Sequence, residues 1–397
     1  MENVVKLTRL DGLRGLASLI VVFSHLFLWF APSAHYGKTS ELNLGIYLFN
    51  GPASFFYRGG FAVYLFFILS GFVLTYSLQR NAHSLLTIRR ASLKRYIRLG
   101  VPVAASIFIC YLFMLLNVFQ TPDIKPLTGL AKQYTFNESF LSATKDALFG
   151  ALLLGDSRYN YVLWTISLEL FGSLAIFSAI ALFGHDKRTY QIACVIAICM
   201  LLTSTQRTYV CIGLFFIGSF MATIKLPSEP GARIKTAAIL LILFGLYLAG
   251  YYVKSASYLY IDAFTSAVST NFKHKTPWHI LIPSLGATLI IAGVLLAGRM
   301  LDILDTRPLR WLGRISFSVY LLHSIVLAIS AQIALSLMGV SYVSFAITTV
   351  ATLIITLTAS HFFHAKVDAP AISMSSKFAD WVLSNRDNRP ATVVAAR

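Results

Sequence analysis

Residues 10–30 read Leu10-Asp-Gly-Leu-Arg14-Gly-Leu-Ala-Ser18-Leu-Ile-Val-Val-Phe-Ser-His25-Leu-Phe-Leu-Trp-Phe30. An apolar run of about 20 residues is what a helix needs to cross a bilayer. Asp11, Arg14 and His25 interrupt the plain apolar core that a signal peptide would have. Pro32 falls at the −3 position of the small-residue segment Ala31 to Ala34, so the sequence predicts a retained span and no cleavage. At about 100° per residue, Asp11, Arg14, Ser18 and His25 lie within a stripe roughly 60° wide, with Leu, Val, Ile and Phe around the rest of the helix.

Runs of the same kind recur along the chain. Beyond 12–30 they fall near 59–79, 99–119, 161–183, 189–205, 208–224, 236–253, 280–298, 312–335 and 341–362. A shorter apolar patch, Ala147 to Leu154, suits an interfacial or re-entrant helix. Only 12% of the 397 residues are charged and 57% are hydrophobic; a soluble domain carries about 25% charged residues. The expected fold is therefore an all-α membrane protein, a polytopic bundle of about ten transmembrane helices. Residues 1–376 make one integral-membrane domain, and 377–397 a loose cytoplasmic tail.

The net charge of +17 does not call for nucleic acid. With the N-terminus cytoplasmic, that side receives about 23 of the 33 Lys and Arg, Lys6, Arg9, Arg80 and Arg89 to Arg98 among them. The other side keeps residues such as Arg58, Lys125, Lys132, Arg207 and Lys273. An even number of spans with both termini cytoplasmic fits this asymmetry. Cys110, Cys194, Cys199 and Cys211 lie in apolar runs without a CxxC, and the nine histidines form no HExxH. No metal site is expected.

Ionisable groups inside a span are costly unless paired or wet, so each is a functional candidate. His25 lies about 16 Å along the axis from Arg14. Asp11 and Arg14, three apart, could pair with each other. Glu169, in Trp164-Thr-Ile-Ser-Leu-Glu169, sits at a depth matching His25. A carboxylate bonded to one imidazole nitrogen orients the ring and raises the basicity of the other; a purely structural pair is the competing account. Arg89-Arg-Ala-Ser-Leu-Lys-Arg-Tyr-Ile-Arg98 suits phosphate oxygens or lipid headgroups. Tyr320 and His323 stand one turn apart in mid-span.

Several motifs in order give the chain a family resemblance. Leu10-Asp-Gly-Leu-Arg-Gly-Leu-Ala17 with His25 resembles the Arg-x10-His motif of the acyltransferase 3 family of integral-membrane acyltransferases. Gly59-Gly-Phe-Ala-Val-Tyr-Leu-Phe-Phe-Ile-Leu-Ser-Gly-Phe72 and Lys94-Arg-Tyr-Ile-Arg-Leu-Gly-Val-Pro102 continue the likeness. Trp164 with Glu169, and Leu312-Gly-Arg-Ile-Ser-Phe-Ser-Val-Tyr-Leu-Leu-His323, complete it. One departure is His364-Ala-Lys-Val-Asp-Ala-Pro370, with His for the family's Tyr and Asp for the Glu of its Glu-x-Pro signature.

The resemblance implies transfer of an acyl group, acetyl above all, from acyl-CoA to a hydroxyl of a glycan or lipid-linked sugar, in a bacterial inner membrane. Acyl-CoA would be a co-substrate, with no permanently bound cofactor; membrane lipids are the other partners. The expected catalytic set is His25, Arg14 and Glu169. Lys94, Arg95 and Arg98 would hold the donor's phosphates, with Asp11, Ser18, Tyr320 and His323 as supporting polar groups. A multi-span transporter of an anionic metabolite or lipid-linked sugar is the rival, although no internal repeat is evident. A scaffold whose polar stripe only packs helices is a third reading.

Overall fold

The computed structural model describes residues 8–38, 42–79, 84–119, 130, 133–134, 136–226, 230–272 and 275–387. Lys6, Arg80, Lys125, Lys132 and Lys273 of the charge comparison, and residues 388–397 of the expected tail, lie outside these. Helix makes up 84% of the structure, and no strand occurs among the described residues. In hydrocarbon a backbone must satisfy its own hydrogen bonds, and a helix does so within one segment.

The main helices are α1 (Thr8–Phe30), α2 (Gly59–Gln79), α3 (Leu85–Leu115), α4 (Trp164–Phe183), α5 (Lys187–Leu202) and α6 (Arg207–Ala222). They continue with α7 (Ala232–Ala249), α8 (Leu259–Phe272), α9 (Trp278–Leu296), α10 (Arg307–Met338), α11 (Tyr342–Phe363) and α12 (Ala369–Asp387). Among the described residues, eight helical segments are long and apolar enough to cross a membrane. The expected fifth and sixth spans, α5 and α6, have 16 residues each, just under the usual minimum of about 17. The patch expected to be interfacial is a π-helix, Asp146–Leu154.

Two expectations are corrected. α3 begins at Leu85, not 99, because Ser84 caps it by accepting from the Thr87 amide at 3.1 Å and no Gly or Pro breaks 85–98. The cationic segment is thus helix throughout. Residues 377–387 are not loose either: they complete α12, which lies along α3, with Arg90 reaching Asp380 at 2.8 Å.

α1 packs chiefly on α10, and α2 on α6. Both crossings depend on glycine. A β-carbon at Gly313 would stand 2.1 Å from the Asp11 carbonyl oxygen, and one at Gly12 2.0 Å from that of Leu304, in the turn just before α10. Small residues let membrane helices approach this closely, and here the closeness brings the Arg14–His25 helix against the one carrying Tyr320 and His323. At the α2–α6 crossing, a β-carbon at Gly218 would meet the Ile68 oxygen at 1.8 Å. We expect Gly218→Ala to cost about 1–3 kcal/mol, the usual range for overpacking, read as a lower unfolding midpoint in detergent. An unchanged midpoint would show that this crossing has slack.

Candidate active site

The centre of the site is a pair of imidazoles. Nδ1 of His25 lies 2.9 Å from Nε2 of His323, with the rings nearly parallel. Nδ1 of His323 is 3.0 Å from the Val319 carbonyl oxygen. A carbonyl can only accept, so His323 must donate from Nδ1, which leaves its Nε2 as an acceptor. His25 then donates from Nδ1, and Nε2 of His25 keeps a free lone pair. The chain of partners sets His25 in the tautomer of a base. His323 is fully buried. His25 lies deep among protein atoms yet keeps some accessible surface. The ring of Tyr161 stands edge-on to it at 5.0 Å.

A cavity of about 130 Å³ opens among α1, α2, α3, α4 and α10. Its polar lining comes from Arg14, Ser70, Arg95, Arg98, Thr165, Glu169, Ser316 and Tyr320. The Tyr320 hydroxyl donates to the Val162 oxygen at 2.8 Å and lies 2.9 Å from that of Thr165. The Tyr320 ring is 6.0 Å from that of His323. One aromatic ring therefore separates the cavity from the histidine pair.

Three guanidiniums gather here. Arg95 pairs with Glu169 at 3.2 Å, and its Nε is buried without a partner. Arg98 pairs with Asp368, which is 1% exposed and also lies 2.8 Å from Nδ1 of His364. No hydrogen bond or ion pair holds the Arg14 side chain among the described residues. Three positive groups against two carboxylates leave a net +1, carried by Arg14.

These contacts correct several expectations. Glu169 does not orient His25; it faces Arg95. Equal depth on two helices does not fix the direction a side chain points, and α4 turns Thr165 and Glu169, one turn apart, toward the cavity. Asp11 and Arg14 form no ion pair. Ser18 is buried and donates to the Gly15 oxygen of its own helix at 2.7 Å, so the polar stripe of α1 is not a continuous path. Lys94 lies outside the cavity lining, about 100° around α3 from Arg95.

A family model described as an acyltransferase domain, Acyl_transf_3, matches residues 7–361. The chain belongs to the acyltransferase 3 family. The match takes in α1 to α10 and nearly all of α11. O-acetyltransferase PaAT-1 of Phomopsis amygdali is 25% identical over 262 residues, which cover 58% of this chain. The chain spans about half the length of that curated relative, 50% of it. No solved structure matches. The apolar helices and the family together make this an integral membrane protein.

Within this acyltransferase domain some residues had no sequence motif to mark them. Asn160, fully buried, donates to the Leu321 oxygen at 2.8 Å and accepts from the Ser324 hydroxyl at 2.7 Å. It ties the start of α4 to α10 in the register that joins Thr165 to Tyr320. A polar residue just upstream of a long apolar run is the weak signal that could have found it. Asp368 and His364, which the sequence did mark as a departure from the family signature, lie past the matched residues in a second π-helix, His364–Asp368, a turn type that concentrates at functional positions.

Proposed function

We propose that the protein is an O-acyltransferase that moves an acetyl group from acetyl-CoA to a hydroxyl of a glycan. The observation that carries this reading is the Val319–His323–His25 chain, which leaves Nε2 of His25 unprotonated in a histidine pair whose His323 abuts Tyr320 of an arginine-lined cavity. Family membership supports the acyl group. The name of the Phomopsis amygdali relative, an O-acetyltransferase, supports acetyl and an oxygen acceptor.

In the proposed reaction the acceptor hydroxyl gives its proton to Nε2 of His25 as its oxygen attacks the thioester carbonyl. The C–S bond breaks, and the proton passes from the imidazolium to the leaving thiolate. His323 steadies the imidazolium through the Nδ1 bond. Arg14, uncommitted, meets the donor from the end of the bundle where α1 begins, with Arg95 and Arg98 as secondary contacts. That end is cytoplasmic in this reading, and the family's usual setting supports a bacterial inner membrane.

The test is coenzyme A release from acetyl-CoA by the purified protein, with and without a glycan acceptor. Release that depends on the acceptor is expected. No release across several acyl donors and glycans would sink the reading and favour the transporter. Arg14→Ala should raise the KM for acetyl-CoA roughly 10–100-fold, the loss of one charge-assisted contact. An unchanged donor KM would remove Arg14 from donor binding.

A further inference from the structure

The opposite end of the bundle, where α1 and α7 finish and α2, α4, α6 and α9 begin, holds two arginines that the acyl-transfer reading does not use. Arg58 lies just before α2, its guanidinium carbon 3.6 Å from the centre of the Tyr252 ring. Its Nε is buried with no hydrogen-bond partner. Arg207 opens α6 and stacks in the same way on Trp164, also at 3.6 Å. Among the described residues neither is in an ion pair. The helices they open, α2 and α6, pack side by side, and both arginines act electrostatically on Tyr64 and His279.

Local stability does not account for these charges. A cation at a helix N-terminus opposes the helix dipole, and both arginines stand at one. Stacking on an aromatic face leaves the rim of a guanidinium, with its N–H fork, available to a ligand. A planar fork of this kind matches an oxyanion and is poorly suited to a neutral sugar ring.

Arg58 is also linked, through Tyr252, to the neighbourhood of the histidine pair. The Tyr252 hydroxyl is 2.7 Å from Nδ1 of His35, and Nε2 of His35 donates to the Ser24 oxygen at 3.0 Å, next to His25. Burial and the neighbouring Arg58 hold the His35 pKa down at about 4, so at neutral pH His35 is a neutral relay and not a third cation.

The geometry points to an oxyanion-binding subsite at Arg58 and Arg207 that selects a negatively charged glycan and presents its hydroxyl toward His25. The charge is a carboxylate on a sugar or a phosphate ester on the same glycan. This rests on the acyltransferase reading only in naming the bound glycan an acceptor.

The test is direct binding to the full-length protein in phosphatidylcholine nanodiscs. The probes are cellotetraose, its C6-oxidised form and its 1-phosphate. The wild type should bind one or both anionic probes roughly 10–100-fold tighter than the neutral one, as expected for a charge-assisted pair. The Arg58→Gln/Arg207→Gln double variant should lose that preference while keeping its unfolding midpoint, and Arg58→Lys should keep part of it. If the double variant does not fold, the two single variants replace it. Equal binding of all three probes by the wild type, or a preference that survives the substitutions, overturns the proposal. So does displacement of the anionic probes when phosphatidylglycerol replaces a third of the lipid, which would make this a headgroup site. A preference seen without coenzyme A release would uphold the subsite and defeat the acyl-transfer reading instead.

Discussion

His25→Ala should lower acceptor-dependent coenzyme A release a hundredfold or more in a protein that still folds and inserts. General-base catalysis is commonly worth that much, and the side chain removed is the one whose free nitrogen the neighbouring groups define. His323 is a positioning residue, and its variants should behave differently. His323→Ala leaves the base present but free to turn, so the fall should be smaller and the pH–rate profile should move. His323→Gln keeps an acceptor for Nδ1–H of His25 and should recover part of the rate. Wild-type release from a folded His25→Ala protein would remove this imidazole from the chemistry. Equal losses from His323→Ala and His323→Gln, with no change in pH profile, would leave His323 a packing residue.

Arg98→Ala should destabilise the bundle by about 3 kcal/mol, because removing one partner strands a buried carboxylate. Asp368 is 1% exposed and would keep only His364. The low end of the usual range applies, since that imidazole still shares the charge and the Arg98 side chain is itself 25% exposed. Asp368→Asn should cost less, because a partly wet guanidinium can find water. In the double variant Arg98→Ala/Asp368→Ala the losses should fall short of their sum, the mark of a direct pair. Unfolding in detergent measures all of these, and strict additivity would show that the two groups do not depend on each other.

Most of the spans were legible because bilayer thickness imposes length and apolarity directly on the sequence. α2 and α4 lie within a few residues of the runs that named them. α3 and α12 were not legible as drawn, because an apolar run shows where lipid is and not where helix stops. Residue type within apolar runs, not azimuth, drew attention to the site. It singled out Arg14, His25, Tyr320 and His323, and the structure brings the two histidines together. It could not say that Glu169 turns toward Arg95 or that Ser18 folds back on its own helix. Such choices follow from how α1, α4 and α10 are rotated about their axes, and Gly12, Gly313 and Asn160 fix that rotation through contacts between distant parts of the chain. His364 and Asp368, four apart, stand at a spacing where helical side chains meet, but nothing in the sequence showed that Arg98 of α3 completes the group.

The contact between His25 and His323 joins residues 298 apart in sequence. At a synthesis rate of about 5–20 residues per second, α10 leaves the ribosome roughly 15–60 s after α1. For that interval the first span waits in the membrane with Arg14 and His25 exposed to whatever surrounds them, since the helix that shields them does not yet exist. A nascent chain interrupted before α10 would therefore carry unshielded polar groups in lipid, a chemical flag by which a cell's proteases can tell an unfinished copy from a finished one.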